Sequence, residues 1–220
     1  MATIDLGSSL QAGQRAPEFT LPSIERDGMV SLADYRGKTP LLLGLFRGVY
    51  CPLCRRQIAR MGLEHEKLRA EGVDALAVVA SKVEHARLYF RFHPTAVPLA
   101  ADPTMVAIRA FGVPKPRVTP ELLKSFQSTR IDPYGELPEP VPITEIAGRL
   151  NEIDGFEWGP AEMEDLQQQW GWDTATQLVG RYLIDRDGVI RWVDLECGKA
   201  VAGLGTLSSQ DELLAAVRAL

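Results

Sequence analysis

Two cysteines carry the chemistry on offer. Cys51 and Cys54 lie in the stretch Phe46-Arg47-Gly48-Val49-Tyr50-Cys51-Pro52-Leu53-Cys54-Arg55-Arg56-Gln57. One helical turn apart, they are close enough to close a disulfide. A free cysteine has a pKa of roughly 8.5, and a Cys-x-x-Cys at a helix start can fall to about 7 or below. The thiolate attacks a disulfide sulfur or a peroxide oxygen, and the second thiol resolves the resulting mixed disulfide or sulfenic acid. Cys51 is the expected nucleophile, exposed at the start of a helix, and Cys54 the expected resolving thiol. Backbone N–H groups of the first turn, with Arg47 or Arg55, are expected to hold the thiolate; Arg56 adds charge nearby.

Other uses of these side chains fit less well. A zinc site needs a second ligand pair, and the remaining Cys197, His65, His85 and His93 form no spaced pair. His65 falls on an apolar stripe and reads as a structural histidine rather than a base. Cys197 follows the last strand and reads as a semi-buried thiol, because Cys54 already fills the resolving role. Arg181 either pairs with a carboxylate or serves the site.

The elements around the pair are readable. Leu41-Leu42-Leu43-Gly44-Leu45-Phe46, between Pro40 and Gly48, is a short continuous apolar run and predicts a buried strand. Cys54, Ile58, Met61, His65 and Leu68 recur at helical spacing, Pro52 suits the first turn, and Gly72 ends the helix. Cys51 thus sits where a strand ends and a helix begins. Val73 to Ala80 predicts a second buried strand, Ser81 and Glu84 a capping box for the next helix, and Val97 to Ala101 a third strand. Asp102-Pro103 should open a helix that ends near Gly112. Before the core, residues 1–12 predict a loose arm, and Gly13 to Leu32 a small hairpin turning at Asp27-Gly28.

The stretch 113–178 is proline-rich and carries helical patterns, with Ile143, Ile146, Ala147, Leu150 and Ile153 on one face and Met163, Leu166 and Trp170 on another. It predicts a helical insertion. Its aromatics, Phe156, Trp158, Trp170 and Trp172, would fill core or form a homodimer face rather than a substrate platform. Then Tyr182-Leu183-Ile184, the turn Asp187-Gly188 and Val189 to Leu195 predict a hairpin. Ser209 and Glu212 should cap a last helix that turns Leu213, Leu214, Val217 and Leu220 inward. Alternating strands and helices closed by a hairpin predict an α/β architecture, a mixed sheet with helices on both faces.

Composition narrows the function. The 220 residues are 45% hydrophobic, enough for one domain with its own core, here 13–220. A net charge of −5 offers no electrostatic case for nucleic acid or an anionic membrane. Met1 to Leu10 carries no secretory pattern, and no run approaches a membrane span. Three cysteines argue for catalytic or sensing thiols in a cytoplasmic setting.

Five segments in order resemble the peroxiredoxin-like branch of the AhpC/TSA family, on a thioredoxin-like fold. They are Gly13 to Leu21 (G-x-x-A-P-x-F-x-L), Leu32 to Lys38 (L-x-D-Y-R-G-K), Phe46 to Gln57 (F-R-G-x-x-C-P-x-C-R-x-Q), Val97 to Pro103 (V-P-L-x-x-D-P) and Tyr182 to Ile190 (Y-L-I-D-R-D-G-V-I). Typical peroxiredoxins carry a proline seven residues, and a threonine or serine three residues, before the reactive cysteine; Gly44 and Gly48 stand there. Their arginine just before the strand at Tyr182 would fall at Val179, two residues before Arg181, and the cis-proline of thioredoxins near this point is replaced by Gly180. The resemblance implies a thiol-dependent oxidoreductase acting on disulfides or hydroperoxides. It implies an external thioredoxin- or glutathione-type dithiol donor, with no metal or organic cofactor. A rival reading keeps the fold as a non-enzymatic scaffold that uses the insertion for interaction.

Overall fold

The computed structural model describes residues 9–132, 138–161, 164, 177–198 and 204–220. The core is a five-stranded sheet built from β3 (Leu41–Phe46), β4 (Asp74–Val79), β5 (Leu99–Ala101), β8 (Gly180–Ile184) and β9 (Ile190–Leu195), in the order β5-β4-β3-β8-β9. β3 pairs parallel with β4, and β4 with β5; β8 runs antiparallel to β3 and β9. The apolar run 41–46 is continuous because both faces of its strand are buried. Leu42 and Phe46 join a cluster with Cys54, Ile58, Met61 and Leu68 of α1 (Pro52–Ala70). Leu41, Leu43 and Leu45 face the other way, toward Phe19, Leu32, Ile108 and Phe111.

The first face is covered by α1, α2 (Val83–Phe92), α6 (Gln210–Val217) and the insertion. The second is covered by the N-terminal hairpin, β1 (Thr20–Pro22) with β2 (Met29–Ser31), and by α3 (Val106–Ala110). This is the two-faced mixed sheet of a thioredoxin-like fold.

Several local expectations shift. Ser81 does not cap α2, whose N-cap is Lys82 with no side-chain bond; the Ser81 hydroxyl instead accepts from the Val49 N–H at 3.0 Å. The third strand starts at Leu99, two residues late. α3 opens at Val106 behind Met105, which takes a left-handed φ of 56°. Asp102 still caps it from a distance, accepting from the N–H groups of Val106 and Ala107 at 2.9 and 2.8 Å. Leu220 is exposed, because α6 stops at Val217. The arm is docked from Ser9 onward: Ser9 is buried against the Tyr182 hydroxyl, and the Leu10 N–H donates to the Phe111 carbonyl.

The insertion is less uniformly helical than its pattern suggests. It holds α4 (Pro120–Ser128), a ribbon of β6 (Arg130–Ile131) and β7 (Val141–Pro142), a 3₁₀ segment at Ile143–Arg149 and α5 (Leu150–Asp154). Ile143, Ile146, Ile153 and Trp158 are buried in the first cluster. The face expected at Met163, Leu166 and Trp170, and Trp172 with it, lies outside the described residues.

The Arg55–Asp154 ion pair ties the insertion to α1. The Asp154 carboxylate accepts from both terminal nitrogens of Arg55, and the Trp158 Nε1–H donates to it at 2.6 Å. Both partners have no exposed side-chain surface. Breaking a buried pair by removing one partner strands a charge and costs about 3–5 kcal/mol. Asp154→Ala should lose that much in urea unfolding. Glu71→Ala, which removes the exposed pair with Arg218, should stay within about 1 kcal/mol of wild type.

Candidate active site

The site begins where the chain turns out of β3. Gly48 has φ +138°, a conformation side chains rarely adopt. A Cβ there would sit 2.7 Å from Ser81 Oγ, 2.8 Å from Tyr50 Cε1 and 2.9 Å from the Ala80 carbonyl. The turn is pinned by Val49 N–H to Ser81 and by Cys51 N–H to the Gly48 carbonyl at 3.2 Å. α1 follows, with Pro52 in its first turn. Cys51 is its N-cap, and the Sγ accepts from the Cys54 N–H at 3.4 Å. A sulfur thus does the capping that an oxygen usually does, and it does so best as a thiolate.

Arg47 reaches the pair from the other side. Its Nε donates to Cys54 Sγ at 3.4 Å, and its Nη2 donates to Glu196 Oε1 at 2.9 Å. Glu196, fully buried, also accepts from the N–H groups of Gly205 at 2.5 Å and Val179 at 3.2 Å. Burial alone would push the Cys51 thiol up. The Cys54 thiol hydrogen bond, the Arg47 charge and the Cys54 N–H together outweigh it against a small opposing push from Glu196, and the pKa falls to about 6. Cys54 moves the other way, raised by burial and by the Cys51 sulfur it faces. Cys51 is therefore the thiolate and Cys54 the thiol at neutral pH.

The expected residues separate. Cys51, Cys54 and Arg47 come together. Arg55 does not join them: its Nε donates to the Val49 carbonyl at 2.5 Å, and its guanidinium goes to Asp154 and over the Tyr89 ring. It braces the loop before Cys51 instead of touching the sulfur. Arg181 is also placed elsewhere. It bonds Asp194 at 2.6 Å, Glu64 at 3.4 Å and the Ser208 carbonyl at 2.9 Å, with Trp192 under its plane. β8 and β9 set Arg181 directly opposite Asp194, so register decides its partner. His65 packs as a structural histidine, its Nδ1 2.9 Å from the Ala96 carbonyl. Cys197 is buried, reduced and pushed up to about 12 by burial.

Cys51 is less open than a helix-start cysteine suggests, at 7% exposure. It floors a narrow cleft with about 50 Å³ of space, walled by Arg47, Tyr50, Leu53, Phe126, Ile143 and Leu204. Phe126 and Ile143 come from the insertion, which therefore roofs the thiolate. Glu196 is the functional residue that the sequence reading passed over. Its signal is faint: Glu196 is a single acid in the turn that follows β9, where a solvated side chain is the simpler reading. Among the described residues no three His, Cys, Asp or Glu side chains gather as metal ligands.

Alkylation of reduced Cys51 by iodoacetamide should rise with a midpoint near pH 6, not near the usual value of about 8.5. Arg47→Gln should move that midpoint upward. Linkage sets the sign for stability: a depressed Cys51 stabilises the reduced fold as pH rises from about 6 toward 8.5 and loses this as pH falls through 6. Cys54 and Cys197, both raised, contribute stability that fades above about pH 8.5. Urea midpoints across this range check both signs. Gly48→Thr should destabilise the protein and leave peroxide turnover no faster, because its side chain has no room.

Known proteins place this geometry. The solved structures that share its fold include the reduced 2-Cys peroxiredoxin of Plasmodium vivax, aligned over 94% of this chain and 94% of its own at a TM-score of 0.57 and 13% identity. Peroxidoxin BcpB of Mycobacterium tuberculosis aligns over 96% and 98%, with a TM-score of 0.57 and 13% identity. In sequence, the thiol-disulfide oxidoreductase ResA of Halalkalibacterium halodurans is 28% identical over 107 residues, 48% of this chain. The chain spans 59% of that relative's length. The model of the AhpC/TSA family matches residues 12–142, more than half of the sequence and the whole of the Cys51 turn. The chain belongs to the AhpC/TSA family.

Proposed function

We propose that the protein is a thiol-dependent oxidoreductase that exchanges disulfides faster than it reduces hydroperoxides. The observation that carries this reading is the asymmetry of the two sulfurs. Cys51 is held ionised at the floor of a cleft, and Cys54 is held protonated behind it with no exposed surface. An attacking thiolate and a waiting resolving thiol have those properties. The likeness to a thiol-disulfide oxidoreductase points the same way.

The sequence of events follows from the geometry. Cys51 Sγ attacks a substrate disulfide, one S–S bond forms, and the other sulfur leaves as a thiolate. Cys54 then attacks Cys51 Sγ, its proton passing to the second departing sulfur, and a Cys51–Cys54 disulfide remains. An external dithiol of thioredoxin or glutathione type, in a cytoplasmic setting, returns the pair to the reduced state.

Peroxide reduction is the weaker activity because, among the described residues, two donors typical of peroxiredoxins are not in place. Gly48 has no hydroxyl, and Arg181 is committed to Asp194 and Glu64. Loss of one preorganised donor costs on the order of 10²–10³ in rate.

Cys51→Ser should abolish activity, and Cys54→Ser should trap a mixed disulfide on Cys51. Differential alkylation read by mass spectrometry checks both; a disulfide from Cys51 to Cys197 would reverse the assignment. In stopped flow, the reduced protein should react faster with a disulfide than with hydrogen peroxide at matched concentration. A peroxide rate constant of about 10⁷ M⁻¹s⁻¹ or more, approaching the diffusional ceiling, would overturn the preference.

A further inference from the structure

Arg47 gives its sulfur hydrogen bond to the second cysteine. Its Nε donates to Cys54 Sγ at 3.4 Å, while Cys51 Sγ accepts from the Cys54 N–H at the same distance. The aim is fixed from behind. Arg47 Nη2 donates to Glu196 Oε1 at 2.9 Å, and Glu196 is itself held by the Gly205 and Val179 N–H groups at 2.5 and 3.2 Å. Glu196 has no exposed side-chain surface, so the guanidinium cannot swing off Cys54 without stranding a buried carboxylate. Cys54 has no exposed surface either, and no base in solution touches its proton. Among the described residues, the ionisable groups around it are Cys51 and Tyr50 of the same turn and Arg47 from the end of β3, with Glu196 behind Arg47. Burial first, then the hydrogen bond and charge of Cys51, keep Cys54 protonated in the resting pair; Arg47 acts the other way. Once Cys51 is bonded to a substrate sulfur, its charge is gone, and Arg47 is short of an anionic partner.

We propose that Arg47 is a catalytic residue of the resolving step: its Nε–H, aimed by Glu196, stabilises the negative charge that develops on Cys54 Sγ as it attacks the mixed disulfide on Cys51. This rests on the disulfide-exchange reading above, which used Arg47 for Cys51 alone. In the step, the Cys54 S–H bond breaks, and its electron pair forms the Cys51–Cys54 bond. The bond between Cys51 Sγ and the substrate sulfur breaks, and that sulfur departs with the bonding pair and takes up the proton. Arg47 stays a cation throughout and exchanges neither proton nor electron. A donor already in place where charge develops needs no reorganisation at the moment of reaction. One buried charge thus serves both sulfurs in turn, Cys51 before the first attack and Cys54 after it.

Methyl methanethiosulfonate, a small reagent suited to the narrow cleft, separates the two steps. One equivalent places a methylthio group on Cys51 of the reduced protein, and Cys54 then expels it as methanethiol. Acid quench and intact-mass measurement follow the gain and the loss. Wild type is compared with Arg47→Gln and with Arg47→Gln/Glu196→Gln, which leaves no unpaired charge in the site and decides the matter if the single variant does not fold. Loss of the methylthio group should slow about tenfold to a hundredfold in the variants, the range for a hydrogen bond to a charged group. Its pH profile, which tracks ionisation of Cys54, should move to higher pH. The gain, divided by the fraction of Cys51 thiolate found by alkylation, should hardly change. An unchanged rate of loss overturns the proposal, as does slowing confined to the gain, which would assign Arg47 to Cys51 alone. Equal slowing of both corrected steps also overturns it, because it would mark a packing effect on the turn. If the methylthio group on wild type is never replaced by a Cys51–Cys54 disulfide, the exchange reading itself fails, a result distinct from these.

Discussion

A buried guanidinium organises this molecule. Arg47 lies at the end of β3, closed in by Glu196 on one side and two sulfurs on the other. A buried cation is tolerable only with close anionic partners. One is the Glu196 carboxylate, 2.9 Å from the Arg47 Nη2. The other is the ionised Cys51, favoured because the charge beside it is already in place. Glu196 in turn gathers the backbone of Val179, before β8, and of Gly205, before α6. One charge pair therefore fixes the sulfur chemistry and the meeting of three distant chain segments.

The insertion acts on the same centre from above. Its hold on α1 includes the Arg55–Asp154 pair, and Arg55 also grips the Val49 carbonyl in the loop leading to Cys51. Phe126 and Ile143 are thereby kept over the thiolate, in a cleft with room for very few atoms beside it. The apolar walls keep the local dielectric low, so that Arg47 and the N–H groups of α1 act on Cys51 with little screening.

Features set by neighbouring residues are legible in the sequence. The strand 41–46, the helix from Pro52 and the capping box at Ser209 and Glu212 depend on short-range patterns, and they form where expected. So did the two cysteines at the junction. What stayed hidden depends on partners far along the chain. Ser81 looked like a cap, but Val49 claims its hydroxyl from across the sheet. Arg55 and Arg181 looked like site charges because they stand near the motif in sequence or family register. Their direction is set by a helix face and a cross-strand pairing, which lead to Asp154 and Asp194. Glu196 could not be matched to Arg47 across 149 positions without the sheet that joins them.

The bond between Arg55 and Asp154 also limits how this site can be inherited. Cys-x-x-Cys-Arg reads as five adjacent residues, yet its last member answers to a carboxylate 99 positions away. A descendant that shed the insertion while keeping Arg55 would leave a cation buried beside its reactive turn. A related scaffold that acquired the motif alone would inherit the same burden. Motif and insertion are one heritable unit, and they should be gained, lost or transplanted together.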